Sequence, residues 1–137
     1  MQKQVKQIPR GIRNNNPLNI KIGNTWLGEV DNPTDPIFEQ FVSMKYGIRA
    51  AFIILRRYIR RYKKDTINSI ISTWAPESEN HVNAYIGNVV KFTDIEPDVP
   101  ITYEDKTTMC KLVAAMIRVE CGQPVADKVI SDAYDVA

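Results

Sequence analysis

Between Thr102 and Gly122 the apolar residues Met109, Leu112, Val113, Met116 and Ile117 recur at three- and four-residue steps. That is the spacing of a helix with one buried face, and a chain that contains it must build a helical core against that face. Lys106, Lys111 and Arg118 fall on the other side. Thr102 with Asp105 three residues on reads as a variant capping box, and Gly122 followed by Pro124 reads as the stop. Glu120 is the anomaly in the pattern. At about 100° per residue it points within roughly 40° of Met109, Val113 and Met116 and about 60° from Ile117, so it extends the apolar stripe.

Two effects then act on Glu120 in one direction. Desolvation disfavours its charged form, and so does the negative end of the helix dipole. A carboxylic acid kept protonated near neutral pH is what glycosidic bond cleavage requires, because the leaving oxygen must receive a proton as the bond breaks. Glu120 is therefore a candidate general acid. The pattern also admits two plainer outcomes, since glutamate is rarely buried without a partner. The helix can fray after Ile117 and leave Glu120 in solvent, or the carboxylate can pair with Arg13 or Arg118.

The remainder of the chain reads as further helices joined by polar turns. A length of 137 residues, 44% hydrophobic and 25% charged, suits one globular domain spanning residues 1–137. After a polar lead-in from Met1 to Asn16, the stretch RNNNPLNIKIGNTWLGEV places Asn, Pro and Gly turn signals around short β-prone runs, predicting a small hairpin or irregular lobe. A loop from Asp31 to Pro36 precedes a long helix expected over about Ser43 to Lys64, with Met44, Ile48, Ala51, Phe52, Leu55, Tyr58, Ile59 and Tyr62 along its apolar side. A short helix is expected from Thr66 to about Trp74. Another, capped by Asn80, should bury Val82, Tyr85, Ile86, Val89 and Val90 and end at the loop FTDIEPDVP. Val125 to Tyr134 closes the chain. The fold class is mainly α with a small β element.

Other chemistries find little support. The net charge of +2 does not demand a nucleic-acid partner, although it suits a polyanion such as a bacterial cell wall. The run Arg56, Arg57, Arg60, Arg61, Lys63, Lys64 is either a solvated face or a contact for an anionic polymer. Cys110 and Cys121 lie too far apart on one helix to bridge, so free thiols and a reducing site of synthesis are expected. The lead-in lacks the apolar core of a signal peptide, and no segment is long and apolar enough to insert into a membrane. His81 is the only histidine, it has no nucleophile motif around it, and it reads as a surface residue. With no metal-ligand spacing and no phosphate loop, neither a metal nor a cofactor is expected. Carboxylate chemistry remains, with Glu29, Asp31, Asp35 and Glu39 as companions to Glu120. Trp26, Trp74 and Tyr85 are aromatic surfaces that either stack on sugar rings or pack in the core.

The segments RGIRNNNPLNIKIGNTWLGE, FEQFVSMKYGIRAAFIILRRY, IISTWAPESENHVNAYIGNV and AAMIRVECGQP together resemble a family of phage and prophage proteins, often labelled virion or structural proteins, within the lysozyme-like superfamily. Family members commonly read His-Glu-Asn-Gly where this chain has Val119-Glu120-Cys121-Gly122, and carry Thr where it has Val82. AAMIRVECG is also similar to the catalytic-glutamate segment of lytic transglycosylases. In those enzymes the counterparts of NPLNIK and YIGNV follow the glutamate, whereas here they precede it. The resemblance thus implies a circularly permuted, α+β lysozyme-like domain, and requires Glu120 to lie near Asn19 and Tyr85.

What the resemblance implies is a peptidoglycan glycosidase, of lytic transglycosylase or muramidase type. Glu120 would protonate the leaving oxygen and then act as base, with the muramic C6 hydroxyl or the substrate's acetamido group replacing a second enzyme carboxylate. Tyr85 would position the acid or the acetamido group, and Asn16, Asn19 and Ile20 would line the cleft, with Trp26 and Trp74 as further substrate contacts. Glu39, or Glu29, is the reserve second carboxylate. The partner would be peptidoglycan glycan strands, met by a monomer made in the bacterial cytoplasm without a signal peptide and brought to the wall by release, injection or virion packaging. Two other classes stand against the enzyme: a wall-binding or virion structural module with the same fold and no activity, and a basic helical nucleic-acid binder.

Overall fold

The computed structural model describes residues 7–137; the first six residues of the polar lead-in lie outside the described residues. The protein is mainly α-helical. Its helices are α1 (Arg10–Arg13), α2 (Met44–Arg61), α3 (Ile67–Trp74), α4 (Glu79–Thr93), α5 (Lys106–Cys121) and α6 (Asp127–Asp135). α5 is the hub, packing against α1, α4 and α6, while α2 packs on α6 and α3 on α4. Met109, Leu112, Val113, Met116 and Ile117 of α5 are all completely buried, as the periodicity predicts.

Local capping explains where the boundaries differ from the sequence reading. Asp105, not Thr102, caps α5: its carboxylate accepts the Thr108 N–H at 3.2 Å and the Thr108 hydroxyl at 2.7 Å. A carboxylate at that position satisfies a free N–H and also meets the positive end of the dipole. Ser78, not Asn80, caps α4 by accepting the His81 N–H at 3.1 Å, and the helix runs on to Thr93, into the expected loop. Thr66 and Ser69 form a reciprocal capping box at the start of α3. α2 stops at Arg61, short of Lys64, and Tyr62 is 53% exposed rather than part of the apolar side. The basic run at its end is partly engaged by the protein itself. Arg56 and Arg60 both lie over the Tyr103 ring at 5.3 Å, and Arg60 pairs with Glu104.

A lobe built from residues 14–42 covers one end of the helices. In place of a hairpin it has two isolated antiparallel bridges, Lys21 with Phe38 and Glu29 with Phe41. Backbone bonds around these bridges join its segments, Ile22 N–H to the Ile37 carbonyl, Glu39 to Ile20, Val30 to Gln40 and Val42 to Gly28, and side chains reinforce them. Asn16 is fully buried and its amide nitrogen donates to the carbonyls of Ile20 (2.9 Å) and Glu39 (3.0 Å), while its oxygen accepts the Ile20 N–H at 3.0 Å. Arg10 forks onto Asp35, with Nε to Oδ2 at 2.7 Å and Nη2 to Oδ1 at 2.6 Å, and Asn14 adds a third bond to the same carboxylate. The Arg10 guanidinium, with backbone N–H groups behind it, holds the Asp35 carboxyl far below the usual range. Asn16→Ala would leave two buried backbone groups, the Ile20 N–H and the Glu39 carbonyl, without partners, and is expected to lower unfolding free energy by about 2–3 kcal/mol in urea titrations.

Candidate functional site

α5 does not fray at Ile117. The left-handed backbone of Gly122 (φ 69°) ends it, with its N–H bonded to the Arg118 carbonyl at 2.9 Å, so Glu120 is held in the last helical turn. No ion pair to Arg13 or Arg118 forms. Arg118 instead lies over the exposed Phe92 ring at 4.7 Å. Glu120 is half-buried and faces a cleft of about 410 Å³ lined by Leu18, Asn19, Lys21, Phe38, Trp74 and His81, among others.

Two side chains from distant parts of the chain meet its carboxylate. Asn19 Nδ2 donates to Oε1 at 3.3 Å, and the Tyr85 hydroxyl donates to Oε2 at 3.2 Å. Asn19 sits in the left-handed region (φ 54°), which asparagine tolerates better than most residues. That conformation, at the turn after Pro17, directs its amide toward α5. Tyr85 stands on α4, whose contact with α5 brings its ring, 2% exposed, against the end of the helix.

The electrostatics follow from this placement. Burial pushes the Glu120 carboxyl above the usual glutamate range, and the bonds from Asn19 and Tyr85, with weaker pulls from Trp74 and His81, offset only part of that rise. Tyr85 is kept a neutral donor, first by burial and then by the Glu120 charge. The neighbouring Cys121 thiol is pushed up to about 11 by burial and by Glu120, and donates to the Pro17 carbonyl at 3.1 Å. It is a protonated, free thiol rather than a nucleophile. The arrangement therefore holds one carboxyl, shifted upward by burial and restrained by two hydrogen bonds, at the edge of a cleft.

The other residues singled out from the sequence divide between this cleft and the interior. Trp74, at the end of α3, lines the cleft and also an adjoining hollow of about 220 Å³ shared with Asn19, Ile20, Lys21 and Tyr58. Asn16 does not line the cleft; it is spent on backbone groups, including those of Ile20, which lines only the adjoining hollow. Trp26 packs on the core and its backbone N–H bonds Glu29, so it reaches neither hollow. Glu39 and Glu29 line a different cavity, and neither faces Glu120 across the cleft. Lys21, Phe38, Glu77 and His81 do line it, and sequence reasoning missed them. One signal was present: His81 precedes Tyr85 by one helical turn, so both share a face of α4, and Glu77 lies within 3.7 Å of the His81 ring nitrogen.

No family model matches the chain. It is 42% identical over 123 residues to Protein P5 of Pseudoalteromonas phage PM2, an alignment that covers 87% of this chain and 75% of that protein. The chain belongs to the family of this phage protein.

Proposed function

We propose that the protein is a lysozyme-like glycosidase that cleaves peptidoglycan glycan strands, with Glu120 as its general acid and then base. The observation that carries this reading is the meeting of Asn19 and Tyr85 on the Glu120 carboxylate, from positions 101 and 35 residues away in sequence, where Glu120 and Asn19 line the cleft. The permuted lysozyme-like arrangement requires that meeting. In the proposed reaction the Glu120 proton passes to the glycosidic oxygen as the bond from the sugar C1 breaks. The substrate's C6 hydroxyl then bonds to C1 and its proton returns to Glu120, or the acetamido oxygen bonds to C1 first and the C6 hydroxyl or a water displaces it there, again giving its proton to Glu120. This route suits the site better than a two-carboxylate mechanism, because Glu39 and Glu29 line a separate cavity and Glu77, the other cleft carboxylate, has a side chain that is 73% exposed. Delivery to the wall by release, injection or packaging belongs to the same proposal.

Tyr85→Phe tests the positioning part. It removes one bond that favours the charged carboxylate, so turnover of purified peptidoglycan should fall about tenfold. The Glu120 pKa should also rise further. Since the acid must be protonated, activity is lost as pH rises through that pKa, and in Tyr85→Phe the loss should move to higher pH. An unchanged pH profile would show that Tyr85 only fills space. The second reading, a wall-binding or virion module without activity, draws on membership of a phage protein family, and the Glu120 variant discussed below separates the two.

A further inference from the structure

The lobe contains a second cluster of acids that the proposed reaction does not use. The Glu29 and Phe41 bridge sets the register, so Glu39, two residues before Phe41, is the diagonal neighbour of Glu29 on the same face. Both line a cavity of about 370 Å³, together with Gly23, Asn24, Thr25 and Val30. Glu39 is only 7% exposed, and its Oε2 is buried with no hydrogen-bond partner among the described residues. Glu29 Oε1 accepts the Trp26 N–H at 3.0 Å. No lysine, arginine or histidine lines the cavity among the described residues. Two neighbouring carboxylates, one of them buried with an unmatched oxygen, need a positive charge between them or must take up a proton.

We propose that Glu29 and Glu39 hold a hard divalent cation of the calcium class, which ties the two bridged segments of the lobe together. No third Asp, Glu, His or Cys joins them among the described residues. The remaining donors are the side-chain oxygens of Asn24 and Thr25, backbone carbonyls such as those of Gly23 and Val30, and water. An all-oxygen set of this kind selects calcium over zinc or copper. With two carboxylates its affinity should resemble that of weak calcium modules, with a Kd of about 10⁻⁴–10⁻³ M. This departs from the expectation of no metal drawn from the sequence, where Glu29 and Glu39 are ten residues apart and show no ligand spacing.

The test uses the full chain. In about 10 mM CaCl2 the Tm should rise by a few degrees, saturably, and return on chelation. The rise should be absent in Glu39→Gln and Glu29→Gln, and NaCl at equal ionic strength should not reproduce it. Terbium gives a second readout that needs no carboxyl variant: its luminescence excited through tryptophan should be displaced by calcium, and should be lost in Trp26→Phe but kept in Trp74→Phe. No saturable rise in the wild type, an equal rise in Glu39→Gln, or terbium luminescence that depends on Trp74 instead would overturn the proposal. None of these readouts depends on glycosidase activity, so the cation site and the Glu120 mechanism stand or fall separately.

Discussion

Glu120→Gln should cut release of soluble fragments from purified peptidoglycan by about 10²–10⁴-fold, the usual contribution of a positioned general acid. The amide is close to isosteric. Its oxygen can still accept from Asn19, and Tyr85 can still bond to its other end, so the cleft should keep its shape. The fold should not suffer, and linkage gives the sign. Burial holds the Glu120 carboxyl above its usual range in the folded chain. Between the unfolded and folded pKa values the native state therefore binds more protons, and stability falls as pH rises through that window. Glutamine removes this loss, so at neutral pH the variant should unfold at the same temperature as the wild type or higher. Loss of fragments in mass spectra together with an undiminished Tm identifies a catalytic residue. Equal fragment release from both proteins would favour the inactive module and remove Glu120 from the chemistry.

Gly47→Ala should destabilise the protein by about 3 kcal/mol or more, lowering Tm by about 10 °C. Gly47 lies in the first turn of α2, where helix propensity alone would make alanine the better residue by about 1 kcal/mol. Tertiary contact reverses the sign. A Cβ there would sit 1.8 Å from the Asn15 carbonyl oxygen and 3.2 Å from the Phe41 ring. The oxygen belongs to backbone that has little freedom to yield. Asn15 is already in the left-handed region at φ 54°, and its side chain bonds the Phe41 carbonyl at 3.0 Å. α2 would have to lift away from the turn that leads to Asn16 and Asn19, so the same variant should also weaken catalysis. Thermal and urea unfolding measure the effect, and an increase in stability would show that the close approach does not govern this helix.

The helices from α2 to α5 were legible because each carries its own period and its own stop, whereas α1, four residues long, shows no period and lies inside the stretch read as a polar lead-in. The apolar series of α5 and Gly122 behind it are local signals, and the protein keeps both. Capping was less legible, since Thr102, Asp105, Ser78 and Asn80 are all competent caps, and the choice depends on which one packing leaves free at the helix start. The lobe was legible only in outline. Its turn residues admitted a hairpin or an irregular lobe, and the structure has two isolated bridges, reinforced by Asn16 and by the Arg10 to Asp35 fork, which join segments that no local pattern connects.

The site shows the same division. By itself the sequence placed a carboxyl on the buried face of a helix, in its last turn, which is enough to expect a raised pKa because burial and helix position are local consequences of periodicity. It left open whether Glu120 would meet solvent, an arginine or a catalytic partner. Only the packing of α4 on α5, and the left-handed turn at Asn19, decided that, by delivering two neutral hydrogen-bond donors and no arginine to the carboxylate. A neutral donor restrains a carboxyl and lowers its pKa only modestly, whereas an arginine would have fixed it as an anion. That difference in partner, set by tertiary contacts across 35 and 101 residues of sequence, leaves burial the stronger influence and the Glu120 carboxyl above its usual range.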